Sequence, residues 1–498
     1  MTYVSRPLDD RNIKTGRYPR SLAQLLVFEA TDRFGFYGLQ GILLIYLIQG
    51  LNFPEASANL TMASFNGLSS VATLFGGAIA GRLISVRSTV ALGAAMQCFA
   101  LSYLAWSKSG IITFLIGLAF VAIANGLTRP NTATLVSGLI LPGKRSDELF
   151  TWYAFAVNLG AGIAFFIVPY VAKGQWTAGF GLCALSAGIG LLSILYRPLV
   201  AKSGITAQKT HHSSGMVSVL LSATITGIAT LGVYVLLQKP LYGQLAFLAA
   251  NLLVPLLGIR LWLRCSPLER RRFAIALVLI AQAMFYMIFD EQTTSSFVLL
   301  ALHDVGSDFH LGKFVILRLS DSQFVAVNAG LTMAFAPLIA HFYHCLDRAG
   351  YRVPLHTKYL MGSIFIVLSV GILWLQLAFQ TSSRLSPWSL ATSYAFISIA
   401  GLLMSSLGLA VIAEYIPRRF NSISTAMYYI CTGVTMYYGG RLSNALALHR
   451  LTTKLSTAEM QSIFTILFAW LTGIATLGCC LFVALQPLLS RWERNLDF

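Results

Sequence analysis

The chain has 498 residues, 56% of them hydrophobic and only 11% charged, with a mean hydropathy of +0.71. So apolar a composition excludes a soluble globular protein of this length and implies a polytopic membrane protein. The net charge of +17 does not point to nucleic acid, because the basic residues are spread thinly and no basic run is interleaved with stacking aromatics. Of the seven cysteines, Cys98, Cys183, Cys431, Cys479 and Cys480 fall inside apolar runs. Without a CxxC pair or a His/Cys cluster, all are read as core residues, and neither a metal site nor a disulfide framework is expected.

The N-terminal tail, 1–20, carries Arg6, Arg11, Lys14, Arg17 and Arg20 but no short apolar core followed by a small-residue cleavage site, so the first apolar segment is expected to be retained. Fourteen apolar segments follow, near 21–50, 59–81, 88–107, 111–141, 148–172, 178–197, 215–237, 243–263, 273–303, 322–344, 357–378, 386–417, 420–446 and 458–488. Windows such as 111–127 and 361–378 are apolar nearly all round, as membrane-crossing helices are and amphipathic soluble helices are not. With the N-terminus inside, the inner connections hold 24 of the 35 Lys and Arg residues and the outer ones nine, while Arg33 and Arg129 lie within spans. That excess assigns both termini to the cytoplasm.

The least hydrophobic connection, 198–214, contains His211 and His212, which are read as solvated loop residues rather than ligands. The run LERRR at 268–272 reads as an interfacial anchor. The expected organisation is therefore a six-helix bundle at 21–197, a linker and two-helix insert at 198–272, a second six-helix bundle at 273–488 and a tail at 489–498. Two halves of six with a long central connection describe an all-α integral membrane protein of major facilitator architecture, with substrate bound midway between the halves.

Polar side chains inside these spans carry the functional signal. The first span contains Glu29, Asp32, Arg33 and Tyr37, and charged groups there cost roughly 2.5 to 3.5 kcal/mol each on insertion scales. Positions 29, 33 and 37 recur at i, i+4, i+8 and 32 lies one turn from 29, so the group shares a face on which Glu29 and Arg33 can neutralise each other. In the fourth span Arg129 and Pro130 are expected to interrupt the helix, with Arg129 facing inward as a fixed cation for a carboxylate. The fifth span supplies Tyr153 and Asn158, followed by Gly160, Ala161 and Gly162 for close packing. The ninth holds FDEQTTSS at 289–296, in which Asp290 and Glu291 suggest a buried proton or ion site rather than a loop between two short helices. Asn328 stands alone in the tenth.

Protons are the expected driver. Burial favours the neutral carboxyl and a neighbouring cation favours the carboxylate, so making and breaking contacts with Arg33 would switch Glu29, Asp32 or Glu291 between the two forms. Glu291 would exchange ion-pair partners with Arg33 across the halves. Sodium could also use carboxylates.

These residues resemble the proton-dependent oligopeptide transporter family of the major facilitator superfamily. Glu29-x-x-Asp32-Arg33-Phe34-x-Phe36-Tyr37-Gly38 is similar to that family's first-helix signature ExxERFxYYG, Tyr153 to Gly160 resembles its FYxxINxGS segment, and FDEQTTSS resembles its seventh-helix FEQxxTS motif. The insert at 215–263 matches the two extra helices of bacterial members. The resemblance implies proton coupling and gating by Glu29, Asp32, Arg33 and Glu291. It implies a substrate pocket lined by Tyr37, Tyr153, Asn158 and Asn328, with Arg129 in place of the fourth-helix lysine that faces the peptide carboxylate.

Two departures stand out. Where the family carries a Gly-Glu pair whose acid binds the peptide ammonium, this chain has Gly401-Leu402. Glu414 lies about 18 Å further along a helix at 1.5 Å per residue, too far to substitute, which leaves Asp290 as the candidate. Gly81 also replaces the aspartate of the superfamily's gating motif.

The reading is thus a proton-coupled symporter of the cell membrane, the inner one in a Gram-negative bacterium. It would import di- and tripeptides or peptide-like compounds by alternating access, with lipid, protons and substrate as partners and the proton gradient instead of a cofactor. The alternative is a carrier of the same fold for a solute lacking a free amino terminus, which Leu402 keeps open. A membrane-embedded enzyme would need a ligand set, nucleophile elbow or soluble catalytic domain that the sequence lacks, and a receptor or scaffold would not need buried acids in both halves.

Overall fold

The computed structural model describes residues 20–107, 110–137, 139, 146–173, 175–196, 216–351, 353–380, 384–404, 408–446 and 456–494. The basic residues of the tail through Arg17, the linker with His211 and His212, the loop cations Lys108, Lys144, Arg145, Arg352, Arg450 and Lys454, and Ser405 to Leu407 lie outside the described residues, as do 495–498.

In chain order the helices are α1 (Arg20–Ile45), continued by a π-helical turn (Tyr46–Gly50), α2 (Glu55–Val71), α3 (Thr73–Ile79), α4 (Val86–Trp106), α5 (Ile111–Ser137), α6 (Ser146–Ala172), α7 (Trp176–Leu195) and α8 (Met216–Gln238). Then come α9 (Pro240–Leu263), α10 (Pro267–Thr294) and α11 (Ser296–Asp304). A two-stranded antiparallel hairpin, β1 (Asp308–Leu311) and β2 (Phe314–Arg318), precedes α12 (Phe324–Arg348), α13 (Leu355–Ala378), α14 (Pro387–Met404), α15 (Gly408–Tyr415), α16 (Asn421–Leu446) and α17 (Thr457–Arg494). Among the described residues, eleven helical stretches are long and apolar enough to cross a membrane, α10 with α11 counting as one. The pass through α1, that through α2 and α3, and α16 fall short of this measure; polar side chains are threaded through all three. With them the passes number fourteen.

The chain divides into two compact units, Met1–Ile42 with Leu68–Pro240, and Leu43–Gly67 with Leu241–Phe498. The division cuts α1 and α2 and puts α8 in the first unit and α9 in the second.

In the first unit Leu22, Leu25 and Phe28 of α1 pack with Val90 and Ala94 of α4, Leu135 and Val136 of α5 and Ile194 of α7. Lipid is as apolar as these side chains, so close fit and dispersion hold them rather than escape from water. The closest fit is made by glycine. Pro130 lies inside α5, which nevertheless runs unbroken to Ser137, so the expected interruption is absent. Lacking an N–H, Pro130 cannot bond the carbonyl of Gly126, and that oxygen instead faces Gly76 of α3: a Cβ on Gly76 would lie 2.1 Å from it. In return, a Cβ on Gly126 would lie 2.4 Å from the Ala72 oxygen. Asn131 pins the crossing, its Nδ2 donating to the oxygens of Gly76 at 3.1 Å and Leu127 at 2.8 Å. Beyond α3, Gly81 has φ +75° and donates its N–H to Ile84 O at 2.8 Å. A residue with a Cβ would be strained there, so the turn itself favours glycine over the aspartate of the family pattern.

In the second unit the FDEQTTSS stretch lies at a break. Ser295 (φ −118°, ψ −88°) ends α10 and α11 starts at the next residue. Hydroxyls in the run bond back to their own helix: Thr293 to Asp290 O at 2.6 Å, Ser295 to Glu291 O at 2.9 Å and Ser296 to Gln292 Oε1 at 2.6 Å. A break inside a span is tolerable when side chains satisfy the freed backbone groups in this way. Gln292 ties the break to α16, donating to Gly439 O at 3.1 Å and accepting from Ser443.

Candidate functional site

In the first unit, the spacing of Glu29, Asp32 and Arg33 on α1 brings their side chains together in a cluster almost closed to solvent, with residue exposures of 0%, 2% and 2%. Arg33 Nε donates to Glu29 Oε1 at 2.9 Å one turn back, Nη2 lies 3.1 Å from Asp32 Oδ2, and Nη1 donates to Asn125 Oδ1 of α5 at 2.8 Å. Thr128, one turn along α5 from Asn125, donates to Asp32 Oδ2 at 3.3 Å. Gln97 of α4 donates to the Asp32 backbone oxygen at 2.7 Å. All three guanidinium nitrogens are thus engaged, which a lysine's single ammonium could not match. Tyr153 of α6 donates its hydroxyl to Glu29 Oε1 at 3.1 Å, on the same oxygen that Arg33 uses. Glu29 Oε2 is buried and has no hydrogen-bond partner among the described residues. Two carboxyls and one guanidinium therefore share one water-poor cluster.

The other sequence-assigned residues of this unit lie around it. Tyr37, half-buried, packs its ring against Phe36 and Phe165. Arg129, next to Thr128, is exposed and within electrostatic reach of the Tyr153 hydroxyl. Asn158 is half-buried and its Nδ2 donates to Ala154 O of its own helix at 2.9 Å. Gly160 is needed for packing: a Cβ there would meet the Ala30 oxygen at 2.2 Å.

In the second unit the two adjacent acids, about 100° apart around α10, have different partners. Asp290 Oδ1 accepts the Tyr286 hydroxyl at 2.7 Å, and that hydroxyl packs against Gly401 of α14, where a Cβ would come within 2.5 Å of it. Asp290 is thus joined through one tyrosine to the residue preceding Leu402. Glu291, 3% exposed, accepts from Asn66 Nδ2 of α2 at 2.9 and 3.2 Å. Neither acid makes an ion pair with the described residues of its unit. Asn328 Oδ1 accepts from Ser398 Oγ at 2.6 Å, so its carbonyl end is engaged by α14. Beyond the break, His303 Nε2 lies 2.7 Å from Glu55 Oε1 at the start of α2.

Sequence reasoning missed Asn125, Thr128 and Gln97 around Arg33, Asn66 at Glu291, Tyr286 at Asp290 and the Glu55–His303 pair. Asn125 and Thr128 carried a usable signal, an i, i+3 polar pair in an apolar helix one residue from Arg129. Asn66 is a lone amide in FNGL and Tyr286 looks like any core aromatic, so neither announces its partner.

The sequence model of the POT family matches residues 87–466. The dipeptide and tripeptide permease A of Erwinia pyrifoliae is 26% identical over 504 residues, covering 99% of both chains. That of Cronobacter turicensis is 26% identical over 506 residues, covering 99% of this chain and 97% of the relative. Among solved structures, tetrameric PepTSo2 superimposes with a TM-score of 0.83 at 24% identity over 95% of this chain and 98% of its own. A mutant of the peptide transporter POT in complex with alafosfalin does so with a TM-score of 0.80 at 19% identity, over 95% and 96%. The fold is the major facilitator fold expected from the fourteen passes.

Proposed function

The chain belongs to the POT family, and from that premise we propose that it is a proton-coupled symporter importing di- and tripeptides or peptide-like compounds by alternating access. It is a multi-pass membrane transporter and not an enzyme. The observation that carries the coupling is the buried, unpartnered Oε2 of Glu29 beside a single guanidinium shared with Asp32. With both acids ionised the cluster has one uncompensated negative charge, which a proton entering the site would cancel. A proton on Oε2 leaves the Arg33 and Tyr153 contacts on Oε1 in place and weakens the hold of Glu29 on Arg33. Arg33 would then exchange toward Glu291, whose hydrogen-bond partner among the described residues is the Asn66 amide. No cofactor enters the cycle; the proton gradient drives it.

For substrate, Tyr37, Tyr153, Asn158 and Asn328 would line the pocket, with Arg129 for the carboxylate. Asp290 would take the ammonium, a role supported by its link through Tyr286 to Gly401 and by the absence of an acid at Leu402. The second reading, a solute without a free amino terminus, is favoured by Leu402 alone. In proteoliposomes with an imposed pH gradient, dialanine should accumulate only with the gradient, and Glu29→Gln should abolish accumulation while leaving exchange. Gradient-independent uptake overturns the coupling, and competition by non-amine solutes alone overturns the substrate.

A further inference from the structure

The second unit contains a groove of about 650 Å³ between α9, α10 and α16 that the transport reading does not use. That size falls in the roughly 300–1,000 Å³ range of small-molecule sites, but apart from Asn251 and Thr435 the lining is apolar, with Val254 and Ile259 of α9, Ile280 and Met284 of α10, Met427 and Val434 of α16. Its Thr435 hydroxyl is already spent on Cys431 O at 2.6 Å. The middle of the groove therefore suits an alkyl chain.

One end of the groove has the opposite character. Trp262 closes the lining there, and the Arg270 guanidinium stacks over its ring at 5.0 Å. Arg270 donates Nη2 to Leu263 O at 3.0 Å, while its Nε is buried without a partner. Arg260, Arg264 and Arg271 stand exposed in the same turn region. The acid among them, Glu269, is already engaged by Arg419 at 2.6 Å. Arg270 precedes Leu277, the first groove residue of α10, by seven residues, about 10 Å along the helix at 1.5 Å per residue. A tryptophan and a cluster of arginines at the end of an apolar span mark headgroup depth.

We propose that this groove is a binding site for an anionic phospholipid, one acyl chain lying between α9, α10 and α16 and the phosphate meeting Arg270 and Arg271. A single lipid molecule supplies both chemistries that the groove presents, an alkyl chain for the lining and a negative charge for arginines that no acid among the described residues pairs. Basic pockets between membrane helices bind anionic headgroups for the same reason.

The test is native mass spectrometry of the full-length protein released from nanodiscs of phosphatidylcholine mixed equally with phosphatidylglycerol. Phosphatidylglycerol should be retained preferentially. Each arginine near an anionic surface is worth about fivefold in binding, so changing Arg270→Gln with Arg271→Gln should weaken that retention roughly 30-fold. Ala281→Trp, which fills the groove and leaves every charge in place, should displace the same lipid even if the double variant fails to fold. Glycerol phosphate, the headgroup without chains, should not compete. Equal retention of the two lipids, indifference to Ala281→Trp, or full competition by glycerol phosphate would each overturn the proposal.

Discussion

Tyr153 and Arg33 meet on one oxygen of Glu29, and the other oxygen of that carboxylate is left bare inside the protein. Glu29→Gln keeps an acceptor for both donors while removing one of the two negative charges, so Arg33 and Asp32 become a balanced pair. The variant should fold as well as the parent, with melting temperatures by light scattering or intrinsic fluorescence within a few degrees. It should still lose gradient-driven accumulation in proteoliposomes.

Arg33→Met is expected to behave in the opposite way. It strands Glu29 and Asp32 without a cation, and breaking a buried pair from one side costs roughly 3–5 kcal/mol. Thermal unfolding should show a large loss, and adding Glu29→Gln to the same chain should recover part of it. Strict additivity of the two changes would mean that the pair does not interact.

The glycine contacts predict effects of opposite sign. Gly126→Ala and Gly160→Ala each drive a methyl into a backbone oxygen, of Ala72 and Ala30 respectively, and overpacking of this kind costs about 1–3 kcal/mol. Gly181→Ala meets nothing within 4 Å and removes a flexible residue from a helix, which should stabilise by about 0.5–1 kcal/mol. Parallel melts of the three variants check both directions.

Asp290→Asn retains an acceptor for Tyr286 but not the charge. If Asp290 holds the peptide ammonium, the KM for dialanine should rise at least tenfold while that for an N-acetylated analogue stays put. Leu402→Glu in the same background should restore dialanine transport. Equal changes for both substrates would remove Asp290 from amine recognition.

The hairpin between α11 and α12 carries the clearest acid dependence outside the spans. Arg318 grips Asp308 with two hydrogen bonds of 2.7 Å and holds its carboxyl down from the ordinary 3.8 to about 2. A depressed carboxyl stabilises the fold above its ordinary range and loses that contribution as pH falls toward the depressed value. The stability difference between the parent and Asp308→Asn should therefore be flat from pH 5 to 8 and close between about pH 4 and 2. The pair is solvent-exposed, so the difference is small and should shrink further in high salt.

Charge was legible in the sequence and amide chemistry was not. Glu29 and Arg33 could be paired from spacing alone because both lie on one helix, where i, i+4 fixes the geometry. Their partners Asn125, Thr128 and Gln97 come from other helices, and no periodicity relates α1 to α4 or α5. Tyr153 was read from its motif as a pocket residue, and its bond to Glu29 across helices had no signal in the sequence. FDEQTTSS combined features of both readings that had been set against each other: Glu291 is buried and Asp290 half-buried, and the helix does break there. Pro130 suggested an interruption, yet the glycine crossing against α3 uses the carbonyl that the proline releases, which only the tertiary contact reveals.

The joint at Ser295 also matters for movement. The segment beyond it carries His303 and its grip on Glu55, while the acids stay on the longer helix before it. Because the helix is interrupted there, with Ser295 N–H reaching Gln292 O, Ser295 O accepting from Leu299 N–H and Ser296 Oγ reaching Gln292 Oε1, a pivot of the short piece needs only a few local bonds to rearrange and leaves Asp290 and Glu291 on the longer helix. Rotation at one end of the pass and the buried polar contacts at its centre are therefore mechanically separable.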